Sequence, residues 1–98
     1  MRITQQQAKA IVQQVNAIDA AAAVYLYGSR VNDALKGGDI DIAIVSDNIA
    51  IKDKVAIQMN LYDVLEGLKL DILVVDDATM PFWQVVQPSA INLKAYVE

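Results

Sequence analysis

Three carboxylates and one glycine-serine turn are the residues of this chain whose types and spacing suit chemistry. Gly28-Ser29-Arg30 follows an apolar segment, Asp39 and Asp41 stand two residues apart where the next one starts, and Asp71 begins a later one. Carboxylate oxygens suit hard divalent cations such as Mg²⁺, and a turn that opens a helix suits a phosphate. If the fold brings these groups together, they form a place to hold metal and a nucleoside triphosphate. That is the chemistry of nucleotidyl transfer.

The acidic pair lies on one face of a predicted strand. Alternation puts Asp39 and Asp41 on that face and puts three isoleucines on the other face, namely Ile40, Ile42 and Ile44. An isolated Asp-x-Asp would indicate only a solvated face. Here the strand face that carries the two acids continues with the apolar residues Ala43 and Val45, so we expect only the start of this face to be exposed to solvent. Like charges about 4 Å apart repel by roughly 4 kcal/mol at an effective dielectric near 20, so converging acids need a counter-cation.

The turn at Gly28-Ser29-Arg30 has an ordinary interpretation and a functional one. By itself it is a strand-to-helix turn with a serine cap. Beside the acids it suits a phosphate, because glycine lets the backbone approach closely and Ser29 offers a hydroxyl and an N–H at a helix start. Arg30 adds a positive charge. The combination with three acids favours the functional interpretation.

The elements that must position these residues follow from caps and periodicity. Thr4 and Gln7 form a capping-box pattern at the start of the first helix. The predicted elements are a helix over 5–20, a strand over 24–27, a short helix over 30–36 capped by Ser29 and ended by Gly37-Gly38, a strand over 39–45, a turn over 46–48, a helix over 50–66, a strand over 70–75, and a helical segment that starts near Pro81, is interrupted at Pro88 and is recapped by Ser89.

In the second long helix one apolar stripe is predicted, ahead of a stop at Gly67. Its members are Ile51, Val55, Met59, Tyr62 and Leu65. Helices and strands alternate along the chain, so the fold class is α/β (α+β), with helices packed on a small sheet. The link between the first two strands is short, which predicts a mixed sheet.

Length and composition limit the functions to consider. The chain has 98 residues, which predicts a single domain over 1–98, and 55% of them are hydrophobic. The apolar excess favours a real core and an interface in a hetero- or homo-oligomer. No apolar run approaches the roughly 20 residues that span a bilayer, and the N-terminus lacks a secretory signal, so we expect no membrane and a cytoplasmic location.

Charge and the missing residue types exclude further classes. There is no Cys and no His, which excludes disulfides, thiolate nucleophiles, imidazole bases and Cys/His zinc sites. The net charge of −4, with eight scattered Lys and Arg, does not favour nucleic acid as the partner. Phe82 and Trp83 could stack a base, but a packing anchor or a partner interface is favoured.

The order and context of these residues resemble a known superfamily. Tyr27-Gly28-Ser29-Arg30, Gly38-Asp39-Ile40-Asp41-Ile42 and Lys69-Leu70-Asp71-Ile72-Leu73 are similar to the motifs of the DNA polymerase beta-like nucleotidyltransferase superfamily. The most similar branch is the minimal nucleotidyltransferase (MNT) group. The resemblance covers roughly residues 11–75 and implies the polymerase beta-like nucleotidyltransferase fold.

The resemblance also implies an activity and residue roles. It implies Mg²⁺-dependent transfer, with two ions, of a nucleoside monophosphate from a triphosphate, AMP from ATP, to an acceptor hydroxyl. Gly28, Ser29 and Arg30 would bind the triphosphate. Asp39 and Asp41 would hold metal. Asp71 would complete the metal site or help to deprotonate the acceptor.

Members of the branch often accompany a HEPN-domain toxin and act as its antitoxin, in some cases by adenylylating it. The resemblance thus implies a HEPN-domain protein as a partner. Asn32 and Asp33 stand where many members have a second basic residue and a glycine. An acid there opposes a bound polyanion, although Lys36 would compensate. Two alternatives therefore stay open, namely a non-catalytic antitoxin that masks a HEPN-type partner and a nucleotide-sensing subunit.

Overall fold

A computed structural model describes residues 1–32, 38–76 and 80–98 of the chain. Asp33, Lys36 and Gly37 of the predicted short helix lie outside these ranges, as does Asp77 after the third strand. The elements are α1 (Gln5–Ile18), β1 (Ala23–Tyr27), a 3₁₀ turn (Gly28–Val31), β2 (Ile40–Val45), α2 (Ile51–Leu61), β3 (Leu70–Val75), α3 (Pro81–Val86), a second 3₁₀ turn (Gln87–Ser89), β4 (Ile91–Asn92) and α4 (Leu93–Val97).

The four strands form one mixed sheet in the order β3-β2-β1-β4. β2 pairs with β1 in antiparallel orientation and with β3 in parallel orientation. β4 adds a short antiparallel pairing at the other edge of β1. The predicted α/β class and mixed sheet are confirmed. The parallel pairing is possible because α2 crosses from the end of β2 to the start of β3.

The capping box of α1 is confirmed. The backbone N–H of Gln7 donates to Thr4 Oγ1 at 3.0 Å, and the backbone N–H of Thr4 donates to Gln7 Oε1 at 2.9 Å. Two of the free N–H groups at the helix start are satisfied in this way. The helix ends at Ile18, earlier than predicted, because Asp19 has extended backbone.

The two faces of β2 have different neighbours, as the alternation predicted. Ile40, Ile42 and Ile44 are fully buried in the larger core with residues of α1 and α2. Ala43 lies on the opposite face and packs in a smaller core with Val75 and Trp83. Trp83 is only 2% exposed, which confirms its interpretation as a packing anchor.

The predicted short helix after β1 is partly wrong. Ser29 does not cap a helix; it lies inside the 3₁₀ turn, whose N-cap position is held by Tyr27 without a side-chain hydrogen bond. The turn begins two residues earlier than predicted because Gly28 has a φ of +79°, which bends the chain directly after β1.

The predicted apolar stripe of α2 does not face the core. Of its five members only Leu65 is buried, and the side of α2 that packs on the sheet carries Ile57 and Leu61 instead. Both sides of the helix are apolar at helical spacing, so periodicity alone could not choose between them. The predicted helix end is wrong, because α2 ends at Leu61 and turns continue from there to Gly67. Gly67 closes these turns, with a φ of +77° and its N–H donating to the Tyr62 carbonyl at 2.9 Å.

The C-terminal segment matches the prediction at its start and at the predicted break around Pro88. α3 begins at Pro81, and Pro88 falls in the second 3₁₀ turn. Ser89 does not cap the tail: Asn92 does, with its Oδ1 accepting from the Ala95 N–H at 3.2 Å. The two-residue β4 was not predicted because so short a strand has no period of its own. In the part of the chain that the structure describes, no helix is both long and apolar enough to cross a membrane.

Candidate active site

Asp41 and Asp71 are direct neighbours across two parallel strands. The register pairs Asp41 of β2 with Asp71 of β3, and it pairs Asp41 with Tyr27 of β1 on the other side. Adjacent strands lie about 4.8 Å apart, and residues in register share a face. The sheet therefore brings two of the three predicted acids together, near the strand starts and half-buried.

The glycine turn closes directly on the carboxylate of Asp41. A Cβ at Gly28 would lie 2.5 Å from Asp41 Oδ2, closer than real Cβ atoms approach an oxygen. The positive φ of Gly28 also disfavours any side chain. The turn and the acid are thus parts of one site, and a residue without a side chain is required between them.

The electrostatics of this site disfavour an additional negative charge. Burial raises the pKa of Asp41, and the carboxylates of Asp71 and Asp39 raise it further. Burial also raises the pKa of the Tyr27 hydroxyl, again with contributions from Asp41 and Asp71. Each shift has the same cause, a negative field in partly desolvated surroundings. Such a field attracts a cation.

Lys69 is a cation at this site that the sequence reasoning missed. Its Nζ lies 3.4 Å from Asp71 Oδ1, with both side chains well exposed, and its charge lowers the pKa of Asp41. The signal was present in the sequence, because a residue two positions before Asp71 lies on the same side of an extended chain.

Asp39 is close to the pair but is placed differently. It is exposed and immediately precedes β2. Within the ranges 1–32, 38–76 and 80–98, no three acidic side chains form a cluster that could hold one ion. Asp41 and Asp71 are therefore neighbours in register. Besides burial and Asp71, the charge of Asp39 raises the pKa of Asp41, but among the described residues Asp39 does not form a three-ligand cluster with the pair. The donors themselves are hard oxygens, the type that Mg²⁺ prefers.

Arg30 binds the backbone that leads into β2. Its Nε donates to the Asp39 carbonyl at 3.3 Å, its Nη2 to the Gly38 carbonyl at 2.9 Å, and its Nη1 to the Arg2 carbonyl at 2.9 Å. The guanidinium therefore fixes the segment that carries Asp39. Its charge remains next to the turn that contains Ser29, which is half-buried.

Aromatic side chains border the acidic face. Tyr27 and Phe82 meet edge to face with ring centroids 6.0 Å apart, and Tyr25 and Trp83 pack at 5.0 Å. Helix α3 thus covers the face beyond the acids, while Phe82 remains 52% exposed. The acidic end of the face is the part left accessible for a ligand.

The described residues form a mixed sheet in which an acidic pair lies against a glycine turn, an arrangement whose groups are of the types that suit a metal ion and a phosphate. The comparison with protein families agrees: the family described as Polymerase beta, Nucleotidyltransferase matches residues 6–94. The chain belongs to this nucleotidyltransferase family, and the match spans all six predicted site residues. The comparison with curated proteins gave no significant match.

Proposed function

We propose that this chain is a minimal nucleotidyltransferase of the MNT type that transfers AMP from ATP to an acceptor hydroxyl with the help of Mg²⁺. The observation that supports this most directly is the register of Asp41 with Asp71, directly against the Gly28 turn. In the reaction, the acceptor oxygen forms a bond to the α-phosphorus, the bond from that phosphorus to the bridging oxygen breaks, and pyrophosphate leaves.

The residues have separate roles in this proposal. Gly28 and Ser29 bind the triphosphate with backbone N–H groups and a hydroxyl, and Arg30 adds positive charge beside it. Asp39, Asp41 and Asp71 would hold two Mg²⁺ ions, which when bound neutralise the triphosphate and lower the pKa of the acceptor hydroxyl. Asp71 completes this site or accepts the hydroxyl proton. Burial, and then the neighbouring carboxylates, raise the pKa of Asp41, and this supports the proposal because a bound cation would offset both effects.

Calorimetric titration with Mg-ATP tests the site. We expect metal-dependent binding by the natural sequence and its loss in the Asp39→Asn/Asp41→Asn variant. With a suitable acceptor, transfer should fall by at least about 100-fold, since metal sites supply several kcal/mol of transition-state stabilisation.

The matched control for this variant is Asp47→Asn/Asp76→Asn. It removes the same two charges at exposed positions just after β2 and β3, at the opposite end of the strands. Equal binding by the site variant and the natural sequence would refute the proposal. Equal loss in both variants would attribute the effect to net charge alone.

We further propose that the acceptor is a partner protein, with this chain as the antitoxin of a HEPN-domain toxin in the cytoplasm. A domain of 98 residues has little surface with which to grip a separate small acceptor, whereas a protein acceptor supplies its own docking. Incubation with labelled ATP and a HEPN-domain protein should place the label on that protein. Label on neither protein would contradict this part of the proposal.

A second candidate is a binding protein that masks its partner without chemistry. The exposed apolar side chains of α2 and α3 support it, because such surfaces are typical of interfaces. It predicts that alanine at Asp39, Asp41 and Asp71 leaves neutralisation of the partner intact. The transfer proposal predicts that the same variant fails to neutralise the partner.

A further inference from the structure

Helix α2 presents a row of large apolar side chains to solvent. The α2 stripe consists of Ile51, Val55, Met59 and Tyr62, which are 81%, 50%, 72% and 62% exposed. Their spacing places them on one side of the helix, continued by Tyr62 in the turn that follows. Scattered apolar residues on a surface are ordinary, whereas a contiguous row of them marks an interaction site.

The α2 stripe is separate from the candidate active site. α2 packs Ile57 and Leu61 into the larger core, which includes the isoleucine face of β2. Asp41 lies on the other face of that strand. A protein docked on the α2 stripe would therefore leave the acidic face open.

The α2 stripe is self-complementary about its own centre. Ile51 and Tyr62 lie at its two ends, and Val55 and Met59 lie inside them. Both pairs are centred close to position 57. A two-fold axis that crosses the helix there would set Ile51 against Tyr62 of a second copy and Val55 against Met59. Such isologous contacts are the usual way in which a homodimer closes.

The charged residues beside the α2 stripe favour one relative orientation of two paired α2 helices. Lys52 and Asp63 are exposed, and within the described ranges neither forms an ion pair with another side chain. They are eleven residues apart, and Asp63 lies in the turn two residues beyond the end of α2. If the helical spacing of 3.6 residues per turn is extended over those two residues, Lys52 and Asp63 lie on the same flank to within about 20° and about 16 Å apart along the helix. Their midpoint also falls close to position 57.

In an antiparallel pair of helices, the side of one helix that carries Lys52 and Asp63 lies against the same side of the other helix, which runs in the opposite direction. Lys52 would then face Asp63 of the second copy, and this contact would occur twice. In a parallel pair, opposite flanks meet at the same level, and Lys52 would approach Lys54 of the other copy. Opposite charges favour the first arrangement and like charges oppose the second.

We propose that the α2 stripe binds a second copy of this chain, with the two α2 helices antiparallel about an axis near Ile57. The dimer would expose both acidic faces to solvent. It would also bury the four exposed apolar side chains of the α2 stripe in each copy.

Sedimentation equilibrium between about 1 and 200 μM tests the proposal, alongside the Met59→Asp variant. The natural sequence should approach twice its chain mass of 10.7 kDa, and Met59→Asp should remain at the single mass. The control is Val85→Asp, which puts the same charge on a 78% exposed apolar residue of α3 and should leave the dimer intact. Circular dichroism should show all three chains folded. A natural sequence that stays monomeric, or a Met59→Asp variant that still dimerises, would overturn the proposal.

Charge exchange tests the antiparallel direction. Lys52→Glu alone and Asp63→Lys alone should each raise the dissociation constant roughly tenfold, because two ion pairs are lost and like charges meet. The double variant Lys52→Glu/Asp63→Lys should restore the original value. Single variants without effect, or a double variant weaker than either single one, would overturn this arrangement.

Discussion

Asp41 and Asp19 lie near opposite ends of β2, and their surroundings shift their pKa values in opposite directions. Asp19 Oδ2 accepts from the Ser46 hydroxyl at 2.6 Å and from Asn48 Nδ2 at 3.3 Å, and Oδ1 accepts from the Ala21 N–H at 3.0 Å. These bonds, with that of Ser46 first, lower the pKa of Asp19. Burial and neighbouring carboxylates instead raise the pKa of Asp41.

The difference separates a carboxylate that serves the fold from one that, in the proposed function, is kept for a ligand. Donors directed at Asp19 stabilise its charge and connect the end of α1 to the turn after β2. The charge of Asp41 is held at a cost to folding, and such costs are typical of functional sites. Four predictions test this contrast, from the largest expected effect to the smallest.

Gly28→Ala should be the most damaging change. The new Cβ would lie 2.5 Å from Asp41 Oδ2 on a backbone with a φ of +79°, so we expect a loss of about 1–3 kcal/mol in unfolding free energy together with loss of Mg-ATP binding. The control is Gly38→Ala, where a Cβ would meet no atom of the described residues within 4 Å. Urea unfolding and calorimetry measure both effects. Equal results for the two variants would show that the turn and Asp41 are not in close contact.

Neutralising the two acids should change stability in opposite directions. Asp19→Asn should lower the melting temperature, because it removes a carboxylate that three donors stabilise. Asp41→Asn should raise it slightly, by less than about 1 kcal/mol in free energy because solvent screens a partly exposed group, while abolishing metal-dependent binding. Scanning calorimetry at pH 7 without metal compares the two. A loss of stability in both variants would remove the contrast.

The two groups should also give stability opposite slopes with pH. The pKa of folded Asp19 lies below its reference value of 3.8, so its contribution is present above pH 3.8 and is lost as the pH falls through the lowered value. The pKa of folded Asp41 lies above its reference value of 3.8. Between pH 3.8 and this raised pKa, folding takes up a proton, so the contribution of Asp41 to the free energy of unfolding falls as the pH rises through that range.

Melting temperatures of the natural sequence and of both Asn variants between pH 2.5 and 7 check these signs. The difference in melting temperature between Asp19→Asn and the natural sequence should disappear at the acidic end of this pH range. The difference in melting temperature between Asp41→Asn and the natural sequence should disappear as the pH falls towards 3.8. Differences that do not change with pH would show that neither shift exists.

The smallest effect is expected at Lys69. Its Nζ lies 3.4 Å from Asp71 Oδ1 and would compete there with the proposed Mg²⁺, so Lys69→Gln should tighten Mg²⁺ binding about two- to fivefold, as expected for one exposed ion pair. Titration with Mg²⁺ alone measures this. Lys54→Gln is the control, since it removes the same charge on α2. Tighter binding in both variants would indicate a general charge effect.

The local features of the fold were readable from the sequence because neighbouring residues determine them. The capping box of Thr4 and Gln7 forms within one helical turn, and the two faces of β2 follow from strict alternation. The break at Pro88 and the positive φ at Gly67 depend on backbone chemistry at those residues, although α2 itself ends earlier, at Leu61. The glycine-serine turn and the acids could likewise be recognised by type and spacing, and the family match agrees with that recognition.

Tertiary structure decided what depends on residues far apart in the chain. The sequence offered two apolar sides of α2, and only packing on the sheet selected Ile57 and Leu61 for the core. The two-residue β4 exists because the edge of β1 is available to it. The guanidinium of Arg30 binds carbonyl groups that come close only once the sheet has formed. The register that sets Asp41 beside Asp71 is of the same kind, because strand pairing and not spacing along the chain determines which side chains meet.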